Sequence, residues 1–343
     1  MKLGDIARES RETYSGDKTG IPIVGLEHLV SQELRFTDYD IDTDNTFTKR
    51  FHKGQILFGR RRAYLKKAAI ADFDGICSGD ITVIEAIPGK VDPMLLPFII
   101  QNDRLFDYAI SHSAGGLSPR VKWADLADYE FDLPSLEEQR RLADKLWAAY
   151  ELKEAYKKMI AATDEMVKAQ FIEMFETLPK ENTLSDFCDM KAGKSVPTDS
   201  IKSTPQNDLF PCYGGNGLRG YVADYSHDGI YNLIGRQGAL CGNITLAKGK
   251  FYATEHAVVV TPKTRINEYW LYFALKQMNL NQYSRGVAQP GLAVNQLEKL
   301  PFGIPSEELQ NRFSVIYNQA EKSKSELRQA IEKIDRVMKS LMQ

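Results

Sequence analysis

The segment Gly59-Arg-Arg-Arg-Ala-Tyr64 sets three guanidinium groups in succession, Arg60, Arg61 and Arg62, with the aromatic Tyr64 close by. A planar guanidinium fork matches the O6 and N7 acceptors of guanine, or a pair of phosphate oxygens, so this is chemistry suited to nucleic acid. Ser118-Pro-Arg-Val-Lys-Trp123 is a second loop of the kind and offers Arg120 and Lys122. From Asn45 to Ala71 there is no acidic residue, while Lys49, Arg50, Lys53, the three arginines, Lys66 and Lys67 all fall inside. Further along, Gly235-Arg236 repeats the Gly-Arg pair and is followed by Gln237; Tyr213, Asn216, Arg219, Arg285 and Gln289 continue the mixture of basic, amide and aromatic side chains. The competing reading of such a run is a solvated charged surface. Recurrence of Gly-Arg in both halves favours a binding role.

Other chemistries find no support. Gly215-Asn-Gly217-Leu-Arg-Gly220 satisfies G-x-G-x-x-G, but the turn residues and aromatics of Tyr221 to Tyr231 stand where a dinucleotide-binding helix would begin, so a glycine-rich loop is expected instead. The sequence contains no N-P-P-[YF] or D-P-P-[YF] tetrapeptide, no G-x-x-x-x-G-K-[ST] and no H-E-x-x-H. His28, His52, His112, His227 and His256 are unclustered, and Cys77, Cys188, Cys212 and Cys241 form no C-x-x-C pair. Neither a catalytic site nor a metal centre is expected, and the thiols read as reduced structural residues.

The chain has 343 residues, enough for two domains at roughly 100 to 200 residues each. A hydrophobic share of 43% with 26% charged residues is that of a folded protein rather than a disordered one. A net charge of −2 argues against a free-standing basic DNA binder, so any basic surface must be local, as the stretch 45–71 is. The start lacks a signal-peptide core and no stretch approaches about 20 apolar residues, which implies a cytoplasmic protein with no membrane contact.

The elements that position these loops are announced by a repeat. Phe131-Asp-Leu-Pro-Ser-Leu-Glu-Glu-Gln-Arg-Arg-Leu142 aligns without a gap on Phe302-Gly-Ile-Pro-Ser-Glu-Glu-Leu-Gln-Asn-Arg-Phe313, displaced by 171 positions, and the same displacement carries Ile160 onto Ile331, Asp164 onto Asp335 and Lys168 onto Lys339. A fainter echo, Leu57-Phe-Gly-Arg60 against Leu233-Ile-Gly-Arg236, lies at 176. After each Pro-Ser the pattern recurs mostly at steps of three and four: Leu142, Leu146, Ala149, Tyr156, Ile160, Thr163, Val167, Phe171 in one copy, Phe313, Ile316, Ala320, Leu327, Ile331, Ile334, Met338, Leu341 in the other. Ser135 with Glu138 predicts a capping box, and Ser306, with Glu308 and Leu309 following, an imperfect one. Each helix would run for about 38 residues, or about 55 to 60 Å.

Helices so long and so narrowly striped need a partner. The expectation is an antiparallel coiled coil between the two copies, in preference to each packing on its own globular body. The fold class is therefore α+β: two mixed bodies, 1–133 and 179–304, separated by helices over 134–178 and 305–343. Gln55-Ile-Leu-Phe58 and Phe251 to Val260 have strand composition; Met94 to Ile100 and Tyr269 to Met278 suggest helices.

This layout resembles the specificity subunits of Type I restriction-modification systems over essentially the whole chain. The resemblance rests on Pro-Ser-x-x-Glu-Gln at Pro134 and its slightly divergent copy at Pro305, on Pro211 to Val222 with Asn232 to Asn243 and Ala253 to Val258, and on Gly79-Asp-Ile81 and Gly116 to Arg120. It implies two target-recognition domains, each reading half of a bipartite double-stranded DNA site, and helices that act as spacer and dock two methyltransferase subunits. It also implies that S-adenosylmethionine resides in those partners, that a translocase-nuclease subunit can join, and that this chain is not itself an enzyme. The alternatives are a protein-interaction scaffold without DNA, and the specificity part of a nuclease-free methylation system.

Overall fold

The computed structural model describes residues 1–238, 240–286 and 290–342. It divides into two compact units, Met1–Lys157 with Gln329–Gln343, and Lys158–Arg328. No helix among the described residues is long and apolar enough to cross a membrane.

The first unit contains β1 (Ala7–Glu9), β2 (Ile23–Val24), β3 (Lys49–Phe51), β4 (Ile56–Gly59), β5 (Ala68–Ile70), β6 (Gly75–Cys77) and β7 (Ile81–Ala86), then α1 (Leu96–Ile100), α2 (Asp103–Ser111), α3 (Trp123–Ala127) and the start of α4 (Leu136–Phe175). Strands β1-β7-β4-β5 form an antiparallel sheet, and β2-β6-β3 a smaller one. The run Ile56-Leu-Phe58 is apolar without alternation because both faces of β4 are covered. Ile56 and Phe58 pack with Leu96, Phe106 and Leu146 of the helices, whereas Leu57 packs with Phe51, Val83 and Cys77 on the other side. Sequence periodicity placed this strand and α1 correctly.

The second unit holds β8 (Asn182–Thr183), α5 (Leu184–Phe187), β9 (Cys188–Ala192), β10 (Phe210–Gly214), β11 (Gly217–Val222), β12 (His227–Gly235), β13 (Ile244–Ala253), β14 (Ala257–Pro262), α6 (Glu268–Gln277), α7 (Val294–Leu297), β15 (Pro301–Phe302) and the start of α8 (Glu307–Leu341). Its six-stranded sheet has the order β11-β10-β13-β12-β14-β9. Within it, β9-β14-β12-β13 reproduces β1-β7-β4-β5, again all antiparallel. The faint echo in the sequence is thus one strand built twice: Leu57 pairs with Val83 and Gly59 with Ile81, as Leu233 pairs with Val259 and Gly235 with Ala257. The expected single strand from Phe251 to Val260 is two. Polar Thr254-Glu-His256 breaks the apolar run, and the chain re-enters the sheet on the far side of β12.

The duplicated motif has a structural purpose that its spacing alone does not reveal. The buried Gln139 donates through Nε2 to Pro134 O (2.8 Å) and accepts through Oε1 from the Asp92 N–H (2.9 Å). Gln310 does the same with Pro305 O (2.9 Å) and the Asn267 N–H (2.8 Å). Each glutamine therefore ties the first turn of a long helix to the body of its unit. Ser135 and Glu138 form a reciprocal cap, whereas Ser306 only accepts, from Leu309 N at 3.4 Å.

In the first unit Leu142, Leu146, Trp147 and Tyr150 of α4 share a core with Met338 and Leu341 from the far end of α8. In the second, Val167, Phe171 and Phe175 pack against Phe313, Tyr317 and Ala320 from its beginning. Opposite helix ends meet in each unit, so the pair is antiparallel, as the repeat predicted. Tyr156, Ile160, Leu327, Ile331 and Ile334 are half-buried. The apolar stripe read from sequence omitted the polar members of the seam: Lys153 reaches Asp335 in the first unit and Lys324 reaches Asp164 in the second.

Candidate nucleic-acid interface

Both units end their central strand in the same backbone junction. After β4, Arg60 N donates to Asp80 O (3.0 Å), and Arg60 O accepts from Val121 N (3.0 Å). After β12, Arg236 N donates to His256 O (3.0 Å), and Arg236 O accepts from Leu292 N (2.9 Å). Two residues on, Arg62 N bonds Pro119 O (2.8 Å), as Gly238 N bonds Pro290 O (3.0 Å). A returning loop closes each junction, by paired bonds between Ala114 and Arg120 in one unit and between Arg285 and Gly291 in the other. The scaffold is common; the side chains it displays differ.

In the first unit they are arginines gathered on one carboxylate. Asp80 accepts from Arg120 Nε (2.7 Å) and Arg61 Nη1 (3.2 Å), while Ser118 Oγ accepts from Arg61 (3.0 Å) and Arg62 (3.4 Å). Burial alone would raise the Asp80 carboxyl, but the bonds from Arg120 and Arg61 hold it below the usual carboxylate value. The Nε atoms of Arg60 and Arg61 are buried without a hydrogen-bond partner among the described residues, so each retains unused donor capacity. Tyr64 and Lys122 are exposed beside them. Lys49, whose pKa burial lowers, donates to Ile81 O (2.6 Å), one residue from Asp80.

Two candidates from the basic stretch are engaged elsewhere. Arg50 lies 3.5 Å from Glu12 and 5.6 Å from the Tyr14 ring centroid, and Lys66 donates to Asp103 at 2.6 Å. Asp80 and Ser118 themselves were not singled out by sequence reasoning. Their partners lie far along the chain; Gly79-Asp-Ile81 and the Ser118 to Trp123 loop stand out only as segments, with no role for either side chain.

In the second unit Arg236, Gln237 and Arg285 line one open cleft of about 550 Å³, with Leu292, Asn295 and Lys299. Arg236 Nε is buried without a partner among the described residues. The glycine-rich segment is the β10 to β11 turn, with no helix after it. Its purpose is close approach: a Cβ on Gly235 would fall 1.9 Å from Gly215 O. This packing sets the turn that carries exposed Asn216 against the end of β12. Arg219, on β11, bonds Thr198 Oγ1 at 3.3 Å, and the Tyr213 ring meets Phe251 edge-on at 5.7 Å. Gln289 lies outside the described residues. No group of three or more His, Cys, Asp or Glu side chains placed to hold a metal occurs among the described residues, and all four cysteines are buried and unpaired.

Set beside known proteins, residues 1–161 and 179–334 match the family described as Type I restriction modification DNA specificity domain. The Type I restriction enzyme EcoprrI specificity subunit of Escherichia coli is 51% identical over 132 residues, 38% of this chain and 33% of that protein. The EcoDI specificity subunit of Escherichia coli is 30% identical over 96 residues, 28% of this chain and 21% of that protein. The chain thus matches a third or less of the length of these relatives. Among solved structures, the Type-I restriction-modification S subunit from M. genitalium superposes over 99% of this chain and 94% of its own with a TM-score of 0.65 at 15% identity. A chain solved in work on assembly and conformational transition of the type I R-M system gives 0.58 at 18% identity, over 99% and 95%. At such identities the likeness is one of fold.

Proposed function

The chain belongs to the Type I restriction modification DNA specificity domain family, and from that premise we propose that it is the DNA-reading subunit of a Type I system, each unit reading one half of a bipartite double-stranded site. The observation that carries this reading is the junction at the ends of β4 and β12. One backbone arrangement presents Arg60, Arg61, Arg62 and Arg120 in the first unit but Arg236, Gln237 and Arg285 in the second. A common frame with different side chains is what reading two different half-sites requires. Guanidinium forks suit guanine and amides suit adenine, each good bidentate pair contributing about 1 to 3 kcal/mol of discrimination.

The helices would then dock two methyltransferase subunits, in which S-adenosylmethionine is held; a translocase-nuclease subunit can join that assembly. Support comes from α4, which exposes Leu152, Met159 and Met166 at seven-residue steps although its seam with α8 uses other positions. Methionine stripes adapt readily to a partner helix. Partners that enclose the duplex would supply the phosphate contacts that a net charge of −2 does not. In this reading the chain contributes recognition and no catalytic group.

The test is a methylome map by single-molecule sequencing of cells expressing the cognate methyltransferase subunit with and without this chain. A split motif should appear only with the chain, and exchanging residues 179–304 should alter one half of it. Absence of any chain-dependent methylation from a soluble complex would overturn the reading.

A further inference from the structure

The turns after β4 and β12 correspond at their described residues, and the backbone conformations there reveal where the first unit departs from what folding alone asks. Arg62 has φ +54° where Gly238 has +88°, and Lys66 has +49° where Gly242 has +89°. The left-handed region is open to glycine and unfavourable for a side chain with a Cβ. At the later position each unit has a packing reason for its residue. Lys66 donates to Asp103, whereas a Cβ on Gly242 would lie 2.5 Å from Asn281 N.

At the earlier position there is no such reason. A Cβ on Gly238 would meet nothing within 4 Å among the described residues, so packing leaves room for a side chain and only the left-handed backbone favours glycine there. Arg62 makes one long hydrogen bond, 3.4 Å to Ser118 Oγ, on an oxygen that Arg61 already reaches at 3.0 Å. The fold gains little from this side chain and tolerates strain to carry it, a pattern that belongs to functional positions.

Its surroundings indicate the chemistry. Tyr64, two residues on, is 53% exposed. Leu117, next to Ser118, is 98% exposed on a loop closed by the paired Ala114 and Arg120 bonds. A guanidinium on a surface that also displays an exposed apolar tip and an aromatic ring suits the major-groove edge, where acceptors stand beside thymine methyl groups, better than a phosphate.

Resting on the DNA-reading function proposed above, we infer that Arg62 is a specificity-determining residue of the first unit, whose fork engages a base edge while Tyr64 and Leu117 make the apolar contacts around it. The test uses the full chain assembled with its methyltransferase subunit and selects bound sequences from a randomised duplex library. Arg62→Gly should raise the thermal midpoint by relieving the strained φ, and should weaken base preference about tenfold or more at one or two positions of one half-motif, the other half unchanged. Arg62→Lys should lose the same preference, because an ammonium cannot form the fork. An unchanged motif in Arg62→Gly overturns the inference. So does a wild-type motif in Arg62→Lys with Arg62→Gly weakening all sequences alike and lowering the salt slope by about 0.9, the mark of a phosphate contact. Selection of no motif by the unaltered complex would instead overturn the DNA-reading function itself.

Discussion

Lys153 on α4 places its ammonium 2.7 Å from Asp335 on α8, and their counterparts under the 171-residue displacement, Lys324 and Asp164, form the second such pair with the helices exchanged. The lysine side chains are only 15% and 7% exposed; Lys153 is paired to Asp335, whereas Lys324 also has Glu321 of its own helix at 2.5 Å. A register slip would strand the Lys153 ammonium near Leu146, Tyr150 and Met338, which makes this pair a register device as well as a contact. Asp335→Ala should therefore destabilise the first unit more than Lys153→Met, because only the former leaves a buried charge alone. Since Asp335 is 41% exposed, solvent limits the coupling in a double-mutant cycle to about 0.5 to 1 kcal/mol. Urea denaturation of the four variants measures it, and equal costs for the two single changes would refute the assignment.

Gln139 and Gln310 each satisfy a proline carbonyl and a backbone N–H in a buried position. Replacement by alanine orphans both groups, at about 2 to 3 kcal/mol. The local signature is sharper than the global one: hydrogen exchange should lose protection at the Asn267 amide in Gln310→Ala and at the Asp92 amide in Gln139→Ala. Retained protection in both would mean that the motif is kept for another reason.

What was legible in the sequence was what side chains alone decide. The glutamine motif stood out because an amide reaching five residues back needs that residue type, and Leu57 to Arg60 echoed Leu233 to Arg236 because a buried strand ending in a close backbone approach needs apolar residues and then glycine. The correspondence of Ala114, Pro119, Arg120 and Val121 with Arg285, Pro290, Gly291 and Leu292 was not legible, since its bonds are between backbone groups and Pro119 with Pro290 is its main trace. The clamp on Asp80 was hidden because Arg61 and Arg120 lie 19 and 40 positions away. Nor could composition tell that Arg50 and Lys66 face carboxylates while Arg62 stays exposed.

Asp80 should act as a positioning residue, holding Arg61 and Arg120 in a fixed array rather than touching DNA. Asp80→Asn keeps the shape but loosens both forks, so preference within one half-site should fall about tenfold while nonspecific binding rises with the lost negative charge. Its carboxyl is held below the ordinary value, so the clamp is intact above about pH 4 and its contribution to stability disappears as pH falls through that lowered value. The pH dependence of unfolding for wild type and Asp80→Asn should accordingly coincide at the acid end and separate above it. Parallel curves throughout would exclude the clamp.

Arg236→Ala removes the guanidinium common to both junctions from the second unit, whose cleft it shares with Gln237 and Arg285. Recognition of one half-site should be lost and the complex with methyltransferase subunits preserved. Binding to duplexes that match only the other half-site should stay near wild type across a salt titration. Loss of assembly with normal folding would count against a DNA-reading role for this arginine.

The outer face of α4 makes the last separation, between the seam and the docking surface proposed for the methyltransferase subunits. Leu152, Met159 and Met166 are exposed, with Ala155, Ala162 and Ala169 three residues after each, a second heptad on a helix whose first heptad is already occupied by α8. Met159→Glu and Met166→Glu should fold within about 0.5 kcal/mol of wild type, since each replaces one solvated side chain by another. They should nevertheless prevent co-purification of the methyltransferase subunit. Ile160→Asp, one residue along but half-buried, should behave in the opposite order, lowering thermal stability first and assembly in consequence. If the glutamate variants assemble normally while Ile160→Asp alone fails, the partner does not dock on this face, because stability rather than the outer heptad would then govern assembly.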